Sequence, residues 1–364
     1  MRLLYTDTFT AYPLGLAGGH RVVHTLLRLL LERGVECRTI VPRSAIGTPR
    51  PEYFPRPADF ATLGVREFRD EGDRWYFDCG YPIWIVDEIE PALEAAFAGF
   101  APSVLFTTSA NPGPIARLGQ AHGVPTICLV QDVRFKPEGG QAVAAAGGRL
   151  LACSRYIARW VEERSGVLPE VLYPLVPAEE YRVEPGPDGS ILMINPHPLK
   201  GFETFLGIAR LLPEERFLLV ESWPLNDDLP AVRAALEGLP NVRFLPRVAD
   251  IRQVYQQGWL LLVPSIVEEA AGRVVLEAQW SGIPALVSER GGLPEMVGAG
   301  GLVISDYLNP QAWAEAIRCV REPRARERFA QAARESAERE ELSSGYVVDR
   351  LLGIFREAVA AFPR

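Results

Sequence analysis

From Pro264 to Val287 the chain reads PSIVEEAAGRVVLEAQWSGIPALV, and the reading of this stretch decides the fold. A hydrophobic run, 260–263, leads into it as a strand. Ala270-Ala271-Gly272 then make a small-residue turn. Residues 273–280 have helical spacing, and Ser281-Gly282-Ile283-Pro284 stops the helix. Glu269 stands just outside this helix and Glu277 inside it, about 7.5 Å along the axis at ~1.5 Å per residue. A helix start offers unpaired N–H groups and the positive end of the dipole, which attract phosphate, and small residues let phosphate approach the backbone. An ionised carboxylate only accepts, and it takes both hydroxyl protons of a vicinal diol. Two such acceptors flanking a phosphate site fit a diphosphate with ribose on one side and a hexose on the other, a nucleotide sugar. The alternative is an amphipathic helix carrying two solvated glutamates.

Outward from this stretch, hydrophobic strands alternate with helical periodicity, the pattern of a parallel α/β protein. Strands are expected at 3–6, 37–41, 104–108, 126–131 and 150–154 in the first half. In the second half they are expected at 191–195, 217–221, 242–245, 260–263, 285–288 and 302–305. Residues 181–190 are rich in proline, glycine and charge and read as a linker. The expected division is therefore 1–180, a linker 181–190, 191–345, and a C-terminal helix 346–364. That helix either crosses back to the first domain or stays on the second. Residues 44–73 lack periodicity and read as an irregular insertion near the acceptor side. Two doubly wound halves place ligands at the carboxyl ends of both sheets, in a cleft between them.

Composition narrows the function. The 364 residues suffice for two cores, and 48% hydrophobic with 23% charged residues is ordinary for a soluble protein. A net charge of −8 argues against general nucleic-acid binding. No apolar run reaches the length of a membrane span, and the first residues turn polar too soon for a signal peptide. Five widely spaced cysteines show no metal pattern and read as reduced thiols of a cytoplasmic protein. Asn226-Asp227-Asp228 reads as an acidic loop rather than a metal cluster. Only two lysines, Lys136 and Lys200, occur in the chain. Lys200 lies in Asn195-Pro196-His197-Pro198-Leu199-Lys200-Gly201, between a strand and a helix, where a compact cation suits phosphate. Gly18-Gly19, before the helix beginning at Val22, permit close approach of an anion. They are not a G-x-G-x-x-G motif, which gives a nicotinamide-binding reading little support.

The stretch EEAAGRVVLEAQWSGIPALVSERGGLPEMVGAGG resembles the E-x7-E signature of retaining glycosyltransferase family 4. The resemblance implies the GT-B fold: α/β, with two Rossmann-like doubly wound domains facing a central cleft. It implies that Glu277 holds the ribose and Glu269 the sugar hydroxyls. The Ala270, Ala271 and Gly272 amides and Lys200, the lysine of the family's "KG" pair, hold the diphosphate. Gly18 and Gly19 match the family's N-terminal "GG…R" loop over the donor phosphate, followed here by Arg21. The segment 244–250, including Arg247 and Val248, falls where the family holds the nucleobase through backbone groups; Trp223 either lines that pocket or is core. Ser154 falls at a family helix start and reads as an N-cap rather than a catalyst.

Two positions depart from the family pattern. Gln131 stands where many members have a histidine, which moves any proton-handling role to Asp132 or to the donor phosphate; Asp132 equally suits a turn cap. Asn195 stands where members usually carry a phosphate-binding arginine, a charge that Arg273 or Arg247 would have to replace. The resemblance implies a metal-independent enzyme with no cofactor, using a nucleotide-diphosphate sugar as substrate. The acceptor hydroxyl belongs to a glycan, a lipid-linked sugar, a metabolite or a protein, and peripheral membrane contact stays open. The competing functions are a sugar-nucleotide-binding subunit with weak or partner-dependent activity and a nucleotide-sugar epimerase of the same double fold.

Overall fold

The computed structural model describes residues 1–15, 18–43, 55, 57–186, 189–222, 225, 228–248 and 250–362. The chain divides into two compact units, Met1–Leu175 with Gly345–Arg364, and Val176–Ser344.

The first unit runs β1 (Arg2–Thr6), α1 (Gly18–Glu32), β2 (Glu36–Pro42), β3 (Glu67–Asp70), β4 (Arg74–Asp78), β5 (Pro82–Val86), α2 (Ile89–Gly99), β6 (Val104–Thr107), α3 (Gly113–Ala121), β7 (Thr126–Val130), α4 (Pro137–Ala145), β8 (Arg149–Ala152), α5 (Arg155–Ser165) and β9 (Glu170–Val171). Its sheet has the order β3-β4-β5-β2-β1-β6-β7-β8-β9. All described pairings are parallel except those of β4 with β3 and β5. The period of two sorts side chains to opposite faces. Leu3, Tyr5, Val104 and Phe106 enter one core, while Leu4 and Leu105 enter another. A sheet buried on both faces explains why these strands read as continuous apolar runs.

Part of 44–73 is regular, which corrects the expectation of an irregular insertion. Glu67–Asp70 is an edge strand, and Phe60, in the same stretch, is buried against Phe68 and Phe77. The charged residues of EFRD hid the alternation, and the strand owes its pairing to β4 rather than to its own composition. Residues 44–54 and 56 lie outside the described residues.

The second unit runs β10 (Ser190–Ile194), α6 (Phe202–Leu211), β11 (Phe217–Val220), α7 (Leu229–Leu236), β12 (Val242–Leu245), α8 (Arg252–Tyr255), β13 (Gly258–Val263), α9 (Arg273–Gln279), β14 (Ala285–Ser288), α10 (Leu293–Val297), β15 (Gly301–Ile304), α11 (Pro310–Arg321) and α12 (Pro323–Ala337). Its six strands are parallel in the order β12-β11-β10-β13-β14-β15. The chain winds outward from β10 to β12, then returns to β13 and winds the other way. The strand order therefore reverses between β10 and β13, and in open α/β sheets the crevice at the carboxyl ends of such a switch point is where ligands bind.

The final helix, α13 (Ser344–Ala361), belongs to the first unit's core. Val347, Val348, Leu351, Leu352, Ile354, Phe355 and Ala358 are buried there, and Phe355 meets Phe106 edge-on at 5.6 Å. Arg350 forks onto Glu170 and Arg149 pairs with Glu357, fixing its polar side. The residues just after the first unit pack on the second. Tyr181 is buried, the Val183 amide donates to Ser281, and the Gly186 amide donates to the Gln256 carbonyl.

Candidate active site

The loops after β10 and β13 meet at that crevice. After β10, Asn195 takes a left-handed conformation (φ 69°), which asparagine tolerates better than most residues, and its Oδ1 accepts from the Ser222 amide at 2.9 Å. Gly201 has φ 81°, and a Cβ there would fall 1.8 Å from the Pro264 carbonyl oxygen. The Ile266 amide donates to the Leu199 carbonyl at 3.1 Å. Only glycine lets the two loops lie this close. On the far side Gly291 (φ 59°) and Gly292 press on the backbone of Glu269 and Ala270, and the Gly292 amide donates to the Glu269 carbonyl at 2.7 Å. Ser288 fixes the loop's start by donating to the Ser265 carbonyl.

Held in this way, Lys200 Nζ donates to Glu269 Oε1 at 2.5 Å, with side-chain exposures of 17% and 16%. Ser265 Oγ, fully buried, donates to the same oxygen at 2.5 Å. Glu269 Oε2 has no hydrogen-bond partner among the described residues. Ala270, Ala271 and Gly272 follow, with Gly272 left-handed (φ 75°) at the start of α9. A diphosphate here would meet Lys200 and the loop's backbone.

Glu277 sits one turn into α9, largely buried, with each oxygen engaged. Tyr255 donates to Oε2 at 2.8 Å, and Arg273 lies 3.0 Å from Oε1. Arg273 also donates to the Tyr181 hydroxyl at 2.7 Å. Burial opposes the Arg273 charge, but Glu277 and the neighbouring tyrosines outweigh it and hold the guanidinium above its usual range. Burial, then the Glu277 charge, push the Tyr255 phenol well upward, so it remains a donor. Each carboxylate oxygen has two lone pairs, which leaves Glu277 able to accept a further hydroxyl. Arg273 is thus engaged by Glu277 and Tyr181. Arg247 and Val248 follow edge strand β12, at the same carboxyl edge but two strand spacings, about 10 Å, from β10. Trp223, Asn226 and Asp227 lie outside the described residues.

In the first unit the order reverses between β1 and β6. Gly18 and Gly19 are exposed at the start of α1, and a Cβ on Gly19 would lie 3.0 Å from Gln131 Oε1. Gly18 and Gly19 thus open the helix itself, four residues before the expected start at Val22, and Gly19 is brought beside Gln131. The buried Nε2 of Gln131 and Nδ1 of His20 find no partner among the described residues. Asp132 is spent locally: its carboxylate accepts from the Arg134 amide at 2.9 Å and from the Arg134 guanidinium at 2.5 and 2.8 Å. That is a turn cap with an exposed ion pair. Ser154 is the N-cap of α5, accepting from the Ile157 amide.

Sequence reasoning missed Asp7, at the end of β1. It is 5% exposed and accepts from Tyr5, from the Thr108 hydroxyl and amide, and from the Thr8 and Phe9 amides. Burial raises its pKa, and these donors oppose the rise.

Residues 193–336 match the family model described as Glycosyl transferases group 1. The match covers the second unit's site. A D-inositol 3-phosphate glycosyltransferase of Saccharomonospora viridis is 35% identical over 156 residues, 40% of this chain and 35% of that protein. The chain thus spans about a third of that relative's length. Among solved structures, a glycosyltransferase from Rickettsia africae superposes with a TM-score of 0.77 at 12% identity, covering 99% of both chains. Anabaena HepE in complex with UDP-glucose gives 0.74 at 15% identity, covering 98% of this chain and 100% of that one. These likenesses establish the GT-B fold. Tyr255 and Ser265, within the group 1 region, and Tyr181, before it, were not legible as site residues. Ser265 lay inside the decisive stretch, but its role depends on where Glu269 turns.

A cleft of about 550 Å³, lined by Arg216, Asn241, Arg243, Gln256 and Gln257, opens at the amino ends of β10 to β13. It holds none of the paired carboxylates, and it lies at the wrong edge for the switch-point site. No described helix is long and apolar enough to cross a membrane, and no metal-binding cluster occurs among the described residues.

Proposed function

We propose that the chain is a retaining, metal-independent glycosyltransferase of family 4, moving a hexosyl group from a nucleotide-diphosphate sugar to an acceptor hydroxyl. The observation that carries this is the meeting of Lys200, Glu269 and Ser265 at the switch point of the second sheet. The loop of Ala270, Ala271 and Gly272 and Lys200 take the diphosphate, Glu269 the sugar and Glu277 the ribose. Arg247 and Val248, in the segment 244–250, take the base. The anomeric C–O bond breaks, and the nucleoside diphosphate leaves with the electron pair. The acceptor oxygen bonds to the same face of the anomeric carbon, and its proton passes to the departing phosphate. Lys200 and the loop amides stabilise the charge that builds on the leaving group. The engagement of Asp132 with Arg134 favours the phosphate over Asp132 as proton acceptor.

Asn195 supports a second function, a binding subunit with weak transfer, because its Oδ1 is bonded to a backbone amide and supplies no charge. The test is calorimetric titration of UDP, GDP, ADP and dTDP with chelator present. Acceptor screening with the matching sugar nucleotide follows, starting from UDP-glucose and D-inositol 3-phosphate. Micromolar binding of one nucleotide with acceptor-dependent transfer is expected. Binding without transfer to any acceptor selects the subunit, and loss of binding on chelation overturns metal independence.

A further inference from the structure

We propose that Glu269 and Lys200 together discriminate the donor from its spent nucleotide, by pairing with each other whenever no sugar separates them. This rests on the function proposed above. The two side chains are brought together by backbone contacts and not by their own flexibility. Gly201 lies against Pro264, Leu199 is bonded to Ile266, and Gly291 and Gly292 lie against Glu269 and Ala270. Ser265, fully buried, holds the very oxygen that Lys200 reaches, so Glu269 cannot swing away without losing that bond. With little more than 15% of each side chain exposed, the 2.5 Å pair is only partly screened by solvent.

The charges of the two ligands make this arrangement useful. A nucleotide sugar has a diester-like diphosphate. After transfer the terminal phosphate is free, with a second ionisation near pKa ~6, and so carries about one more negative charge at neutral pH. A lone lysine would therefore hold the product more tightly than the donor, and turnover would stall on release. Glu269 reverses that order. With donor bound, the hexose supplies hydroxyl donors to Glu269, whose Oε2 is unengaged among the described residues, and Lys200 turns to the diphosphate. Once the sugar has gone, the carboxylate faces a more highly charged phosphate. It repels that phosphate and reclaims Lys200. Glu269 is thus a specificity-determining residue as well as a sugar ligand.

The experiment compares wild type, Glu269→Gln, Lys200→Met and the double variant. Calorimetry uses whichever of UDP, GDP, ADP or dTDP the wild type binds, and the matching sugar nucleotide. Glutamine keeps the shape and removes the charge, and equal melting temperatures check folding. Glu269→Gln is expected to bind the nucleoside diphosphate about fivefold more tightly than wild type, the effect of a pair worth roughly 1 kcal/mol. It is expected to bind the sugar nucleotide no more tightly. On the Lys200→Met background the same change is expected to give clearly less tightening, because only the repulsion by Glu269 is then left to relieve. Equal or weaker nucleotide binding by Glu269→Gln overturns the inference while leaving the proposed function standing. Undiminished tightening in the double variant also overturns it, because simple repulsion would then suffice. Failure of the wild type to bind any of the nucleotides overturns both.

Discussion

The two sheets reverse their strand order in the same way, yet they equip the resulting edges with opposite chemistry. In the second unit the carboxylates face cations: Glu269 meets Lys200, and Glu277 meets Arg273. In the first unit the buried carboxylate of Asp7 is surrounded by neutral donors from Tyr5, Thr8, Phe9 and Thr108. An ion pair that a ligand exchanges suits a polyanion. A carboxylate saturated by neutral donors leaves nothing to exchange, and it ties the end of β1 to the segment after β6. Beside it the first edge offers uncharged groups, Gln131 next to Gly19 and the buried Nδ1 of His20. Burial lowers the pKa of that histidine, with Asp7 opposing. The same fold thus supplies a charged pocket once and a neutral polar one once.

The sharpest way to break this contrast is Lys200→Met. Loss of the cation from the crevice is expected to reduce turnover by about 10²–10³-fold, as for removal of one preorganised donor to a leaving group. A loss below tenfold in steady-state rate would show that the second edge does not depend on charge. Next comes Asp7→Ala, which leaves several buried donors unsatisfied. A stability loss of about 3 kcal/mol is expected. Calorimetric melting would show it as a fall of roughly 6–12 °C in the first unit's transition, with nucleotide affinity unchanged. Weakened nucleotide binding would show that Asp7 acts on the ligand and not on the fold. The smallest effect is expected from Tyr255→Phe. It removes one hydrogen bond to Glu277 and leaves Arg273 in place, so nucleotide affinity should fall about fivefold, or ~1 kcal/mol. An unchanged affinity in the titration would mean that Arg273 alone orients the carboxylate.

What was legible in the sequence follows the same division. Strands buried on both faces announced themselves as apolar runs, and the expected segment at 285–288 coincides with β14. Glu269, Glu277 and Lys200 stood out because their spacing to a strand–turn–helix is local. Their partners did not. Tyr255 lies 22 residues from Glu277, and Lys200 lies 69 from Glu269, so each pairing is created by the winding of the sheet. Asp7 was invisible for a related reason: a lone aspartate after a strand reads as a turn residue until the neighbouring strand brings Thr108 to it. Asp132 shows the converse. Its candidate role came from a family position, whereas Arg134, two residues on, determines what its carboxylate does.

The placement of α13 also sets a schedule. Phe355 and its neighbours complete a core whose other members end at Leu175, and the whole second unit, Val176–Ser344, is encoded between them. At a translation rate of about 5–20 residues per second, roughly ten to thirty seconds separate the two parts of that core. During this interval the nascent first unit keeps an apolar groove where α13 will lie. The second unit, contiguous in sequence, emerges complete and is free to fold while the first still waits.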